Sequence, residues 1–219
     1  VSLEDPDQRA FANEDPRGFI TQYSGGVILD EIQRTPELFS YLHGAIDADR
    51  TPGSWVLTGS QNFLVLGSVS QSLAGRVAVV ELSPFEIREI QGTRNGNGSW
   101  RSTLFRGFYP EVVTSSVSPS DWYSSYVITF VERDLRSVLN VGDLEAFERF
   151  VRIAAARVSQ TLNLNSMAVD CGISQPTAKS WLSVLQASGL VYLLKPHYAN
   201  FGKRIVKSPK LYWYDTGLL

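Results

Sequence analysis

A short apolar run, Gly25-Gly26-Val27-Ile28-Leu29, ends in two adjacent carboxylates, Asp30 and Glu31. An unbroken run of this length reads as a fully buried strand of a parallel sheet, and open α/β sheets bind their ligands at the carboxyl ends of the strands. Two acids at that place have a definite chemistry open to them. The first can help hold a magnesium ion on a nucleotide, and the second can polarise the water that attacks a phosphoryl group. This is the layout of a Walker B strand, with Asp30 as metal and cofactor ligand and Glu31 as the catalytic base. A buried strand that runs into an acidic turn or helix cap gives the same pattern, so spacing alone leaves both readings open.

Such a site has a second half. A phosphate loop is a glycine-rich turn ending in Gly-Lys-Ser/Thr, whose backbone N–H groups and lysine cradle the phosphates. The one Gly-Lys pair, Gly202-Lys203, runs on into Arg204-Ile205 far from any strand-to-helix signal. Either a phosphate loop precedes Val1 in a longer polypeptide, or nucleotide is not bound in that way. The first residue is valine, and the last residues, Leu211 to Leu219, read as a strand and turn; the expectation is a piece of a longer protein.

The elements that must position the acids follow from patterning. Val1 to Leu3 suits a short strand, and Pro6 to Tyr23 a loop and helix with Pro16 near a helical start. After the acids, Thr35-Pro36-Glu37 has the cap, proline and acid that open a helix, with Leu38, Phe39, Leu42 and Ile46 at helical spacing and Gly53 beyond its end. Trp55 to Ser60 predicts a second buried strand ending in small polar residues. Phe63 to Leu73 predicts a helical region and Val77 to Leu82 a third strand. Strands and helices alternating at this spacing indicate a parallel α/β sheet.

Beyond the loop at Gly92 to Ser99 the pattern becomes helical. Trp122, Tyr126, Val127, Phe130 and Leu135 mark one apolar stripe, and Phe147, Phe150, Val151 and Ala154 another; such stripes are core-forming. Leu164 to Asp170 and Gln175 to Leu185 are two helices separated by the turn Cys171-Gly172-Ile173-Ser174. Gly189 to Leu194 then predicts a strand, with its return at Lys203 to Lys207. Helix, glycine turn, helix and hairpin make a winged helix-turn-helix. Lys195, Lys203, Arg204, Lys207 and Lys210 form a basic stretch without an intervening acid, as a phosphate-contacting wing requires. Gln175, Thr177, Lys179 and Ser180 are the candidate groove-facing residues, and none is an arginine that could bind guanine bidentately. Winged helices also serve as packing modules between domains, so DNA and protein partners both stay open.

Composition bounds the rest. At 219 residues with a formal net charge of -2, the chain is an ordinary mixed-composition protein and not a global nucleic-acid coat. One cysteine, Cys171, excludes a disulfide framework or zinc cluster built on cysteines and suits a small buried apolar role. With no membrane-length apolar stretch and no signal-peptide pattern, the expected compartment is the cytoplasm.

Taken in order, VSLEDPDQRAFANEDPRGF, ILDEIQRTPELFSYL, WVLTGSQNFLV, SLAGRVAVVELSPFE, FRGFYPEVV, YVITFVERDL, GISQPTAKSWLSVLQASGLVYLL and KSPKLYWYDTGL cover nearly the whole chain. The string resembles prokaryotic AAA-type ATPases whose core is followed by a winged helix and a restriction-endonuclease-like C-terminal domain of unknown function. The resemblance implies ATP and Mg2+ as cofactors, Asp30 as the magnesium-associated acid and Glu31 as the base. It implies Thr58 or Ser60 as the polar sensor of the γ-phosphate, and Arg76 as a basic sensor or arginine finger. Helix capping by Thr58 and Ser60, and a surface ion pair at Arg76, are the structural alternatives. Gln33 and Arg34 lie where they would orient water or phosphate.

The implied fold class is α/β: a partial P-loop NTPase-type parallel sheet, a helical region and a winged helix-turn-helix. The implied domains are a partial ATPase core over 1–98, a helical connection over 99–158, a winged helix over 159–207, and the start of a nuclease-like domain over 208–219. In such folds the phosphate loop follows a strand in the middle of the sheet, and neither is among these residues. The chain alone is therefore expected not to hydrolyse ATP, and Asp215 resembles only the opening strand of the nuclease-like domain. A non-catalytic scaffold carrying a DNA- or partner-binding winged helix is the alternative. Relatives of this type often assemble into oligomers.

Overall fold

The computed structural model describes residues 1–23, 25–59, 72–93, 98–130, 143–197 and 207–219. The chain divides into two compact units, residues 1–81 and 82–219, and each has its own hydrophobic core. Among the described residues no helix is long and apolar enough to cross a membrane.

In the first unit, aspartates and prolines open the helices. Asp5 accepts from the Asp7 N–H at the start of α1 (Pro6–Glu14), and Asp15 accepts from the Gly18 N–H at the start of α2 (Pro16–Thr21). Each satisfies a donor that the first helical turn leaves without an intrahelical partner. β1 (Val27–Leu29) and β2 (Trp55–Leu57) pair in parallel with Ile28 opposite Val56, and α3 (Leu38–Ala48) crosses between them in sequence. On the other edge of β1, Ser2 forms a parallel bridge to Asp30: the Leu3 N–H donates to the Asp30 carbonyl and the Asp30 N–H to the Val1 carbonyl, both at 2.9 Å. β1 is thus the middle of three extended segments.

The pleat then sorts the side chains. Leu29 is fully buried with Ala12, Phe19, Ile20, Leu38, Phe39 and Leu42 from the three helices. Its neighbour Ile28 faces the other way and is 57% exposed, beside Val56 at 43%. The parallel pair is therefore covered on one face only. The sequence pattern predicts a third strand over Val77 to Leu82, and here the structure differs: the segment forms no strand, with Val80 85% and Leu82 99% exposed. A strand needs a partner for its N–H and C=O groups, and among the described residues this segment has no strand or bridge partner. The helical region expected over Phe63 to Leu73 falls mostly outside the described residues.

The second unit opens with short helices, α4 (Ile87–Ile90), α5 (Trp100–Arg106) and α6 (Pro110–Thr114), followed by α7 (Pro119–Phe130). Its core is built by α8 (Leu144–Ala156), α9 (Leu164–Cys171), α10 (Gln175–Ala187) and the antiparallel pair β3 (Val191–Leu194) and β4 (Lys210–Trp213). Trp181 of α10 meets Phe147 and Phe150 of α8 edge-on, with ring centroids 5.1 and 5.6 Å away. Gly172, at φ 70°, ends α9 in the left-handed conformation that glycine adopts without strain, and Ser174 caps α10. The strand paired with β3 is Lys210–Trp213, and the return expected at Lys203 to Lys207 lies outside the described residues but for Lys207. Ahead of α9, Thr161 forms an isolated antiparallel bridge to Lys210, with Leu211 donating to the Gln160 carbonyl and Ser159 donating to that of Leu211.

The segment after β4 is tied down by Asp215. This carboxylate is fully buried and accepts from the Phe108 N–H at 2.6 Å, the Gly217 N–H at 2.7 Å and the Tyr123 hydroxyl at 2.9 Å. Gly107, at φ 71°, brings the chain so close that a Cβ there would collide with both the Tyr123 hydroxyl and Asp215. Burial, then the Asp215 charge, raises the pKa of Tyr123 well above its ordinary value; burial and the neighbouring Tyr126 do the same for Tyr109.

Candidate functional site

At the carboxyl end of β1, backbone and side chain of Asp30 have separate tasks. Its N–H and carbonyl hold the Val1 to Leu3 segment, while its exposed carboxylate accepts from the Thr58 hydroxyl at 2.5 Å and, through the other oxygen, from the Ser2 hydroxyl at 3.4 Å. Thr58 can reach because it follows β2 directly in the parallel register: its N–H donates to the Leu29 carbonyl and its carbonyl accepts from the Ile32 N–H. The predicted pair of acids and the predicted polar sensor are therefore neighbours. Ser2 was missed by spacing. It arrives 28 residues away in sequence, and only the short strand expected at Val1 to Leu3 pointed to it.

Glu31 occupies a left-handed turn at φ 57° and ψ 42°. Non-glycine residues rarely adopt that region, and such strain concentrates at functional positions. The turn takes the chain sharply off the strand, so Ile32 enters the core while the Glu31 side chain stays half-buried, where it accepts from the Gln33 amide. The Gln33 carbonyl oxygen is buried without a hydrogen-bond partner. Arg34, the other residue expected to meet water or phosphate, instead pairs with Glu4 at 2.8 Å. Ser60 lies outside the described residues.

Arg76 is held on α3. Its Nε and Nη2 donate to the two Asp47 oxygens, each at 2.9 Å, and its Nη1 donates to the Ala74 carbonyl at 3.2 Å. Asp47 also meets Arg50 at 2.9 Å and His43 at 3.1 Å. Hydrogen bonding to Arg76 holds the Asp47 carboxyl well below its ordinary range, and Asp47 raises the guanidinium in turn. Bidentate pairing of this kind fixes an arginine in plane as well as in place.

Oxygen donors suit a hard cation. Magnesium is held by one or two carboxylates together with substrate phosphates and water, and the Asp30 carboxylate flanked by the Thr58 and Ser2 hydroxyls fits that preference. No cluster of three or more His, Cys, Asp or Glu suited to a metal occurs among the described residues.

In the second unit Gln175 and Lys179 are exposed on α10, whereas the Thr177 hydroxyl lies 2.7 Å from that of Ser174 within the helix cap. Lys203 and Arg204 lie outside the described residues.

Comparison with known proteins adds the family. An AAA domain family matches residues 1–91, and a domain of unknown function, DUF8612, matches residues 97–219, more than half of the chain. The chain belongs to the DUF8612 family. Asp30, Glu31, Thr58 and Arg76 all fall in the AAA-matching part; Asp215 and helices α5 to α10 fall in the DUF8612 part. Two uncharacterized proteins, Mb2031c of Mycobacterium bovis and Rv2008c of Mycobacterium tuberculosis, are each 34% identical over 207 residues, which is 94% of this chain and 46% of theirs. The chain thus spans about half the length of these relatives. No solved structure matches it.

Proposed function

We propose that residues 1–81 carry the acidic half of an AAA-type ATP site in a longer protein. The observation that carries this is the junction of Asp30, Glu31 and Thr58 at the carboxyl ends of two adjacent parallel strands. Thr58 and Ser2 hold the Asp30 carboxylate in place as the magnesium-side acid. Glu31 is the base: its left-handed turn sets the side chain off the strand, and the Gln33 amide orients it. The buried Gln33 carbonyl oxygen supplies an acceptor for the water that Glu31 polarises. Bound magnesium ATP would provide the phosphoryl group and the cation that offsets its charge.

Three features support a missing neighbour in the sheet. The outer edge of β2 has no partner among the described residues, the Ile28–Val56 face is uncovered, and Val77 to Leu82 has strand composition without a strand. Parallel sheets are normally buried on both faces. A central strand and phosphate loop supplied by the longer protein would meet all three. Arg76 bears a second reading: its bidentate grip on Asp47 favours a structural tie over an arginine finger.

In the second unit, α8, the bridge at Thr161, α9, α10 and the β3–β4 pair follow in the order of a winged helix, which we read as a DNA- or partner-binding module. If the acids served only as scaffold, that module would be the working part. Calorimetry on the full-length protein separates the two. Asp30→Asn is expected to weaken magnesium ATP at least about tenfold while leaving metal-free ATP binding little changed; equal affinities in magnesium would remove Asp30 from the site.

A further inference from the structure

We infer that α10 and the β3–β4 hairpin form a surface that binds double-stranded DNA through its phosphate backbone, largely without regard to sequence. The inference rests on reading this part of the second unit as a winged helix. It begins with a segregation of charge that the net value of -2 hides. All five lysines of the chain, Lys179, Lys195, Lys203, Lys207 and Lys210, lie between Cys171 and Tyr214, together with Arg204 and no Asp or Glu. The other 14 of the 20 basic residues are all arginine, and they share the remaining sequence with all 22 acids. One acid-free, lysine-bearing stretch in an otherwise acidic chain is the electrostatic footprint of a polyanion-binding surface.

The fold displays the described part of this stretch. Lys179 is exposed on the outer side of α10 with Gln175, Ser180, Ser183 and Gln186, opposite the buried Ala178, Trp181, Leu182 and Leu185. Lys195, His197, Lys207 and Lys210 are exposed on the hairpin. Pairing of Leu194 with Lys210 puts Lys195 and Lys210 at the same, loop-side end. The two acids that bound the stretch are both engaged. Asp170 is paired with Arg157, and Asp215 is buried under three donors.

The chemistry of these side chains selects the partner. Lysine contacts phosphate as a point charge, whereas protein interfaces are depleted in lysine. A polar helix face fits the major groove of B-form DNA, while the deep, narrow major groove of A-form RNA does not admit side chains. No arginine on α10 can grip guanine, no acid can accept from cytosine, the Thr177 hydroxyl is used in the cap and the Ser183 hydroxyl donates to the Lys179 carbonyl. Base reading would fall to Gln175, Ser180 and Gln186 alone, so affinity comes mainly from phosphates.

Fluorescence anisotropy of the full chain with labelled 30-base-pair duplexes of two unrelated sequences, at about 50 to 200 mM salt, tests this. Both duplexes should bind within about threefold of each other, and more weakly as salt rises. Replacing Lys195, Lys207 and Lys210 together by Gln should weaken binding at least about tenfold and reduce the log–log salt slope by about 0.9 for each phosphate no longer neutralised. No binding at the lowest salt, binding unchanged in the triple variant, strong preference for one duplex, or equal binding of double-stranded RNA would overturn the inference. Hydrogen exchange separates that failure from failure of the fold reading. Protected β3 and β4 amides without DNA binding reject only the inference, and unprotected amides reject the winged helix itself.

Discussion

Glu31 and Gly107 share a positive φ but not its cost. Glycine accepts φ 71° freely, whereas Glu31 holds φ 57° against the preference of every side chain with a Cβ, at the spot where chemistry is proposed. Gly107→Ala adds both strain and a collision with Tyr123 and Asp215, and urea unfolding should show a loss of about 2–4 kcal/mol. The same network sets the alkaline limit. Folded Tyr109 and Tyr123 have raised pKa values, so the folded state keeps protons that the unfolded chain loses above about pH 10. Stability on this score is fully present below that pH and falls as pH rises beyond it; unfolding followed by fluorescence should track the onset, and Tyr123→Phe should weaken the dependence. The place of Asp30 and Glu31 at the end of a strand was legible in the sequence, because a short apolar run bounded by polar residues reads as a strand. Ser2, and the capture of Arg76 by Asp47, were not, since both depend on pairings 28 and 29 residues apart that no local pattern encodes.

Helices with a strong apolar stripe or a proline-and-acid cap were readable as elements. α3, α8, α9 and α10 follow the stripes, caps and turns seen in the sequence, because amphipathic spacing states which face must be buried. Strands were less so. Val77 to Leu82 has the composition of a strand and forms none, because strand identity is completed by a partner that composition does not name. Trp181 gives a direct check on the core of the second unit. It is nearly buried between Phe147 and Phe150, and Trp181→Ala should cost about 3–5 kcal/mol in chemical denaturation. A loss under about 1 kcal/mol would mean that α8 and α10 do not pack as described.

For the whole molecule, two units with separate cores carry two chemistries: oxygen ligands at the end of a parallel strand pair in residues 1–81, and a lysine-bearing helix and hairpin in residues 82–219. On the proposed reading the first is half of a site, and the chain spans about half the length of its relatives. Steady-state ATP hydrolysis by the full-length protein, beside its Glu31→Gln variant, tests the proposal most directly. Removing the base while keeping the shape should lower turnover by about 100-fold or more, with nucleotide still bound. Turnover unchanged in Glu31→Gln would contradict the assignment of Glu31 to the chemistry of this site.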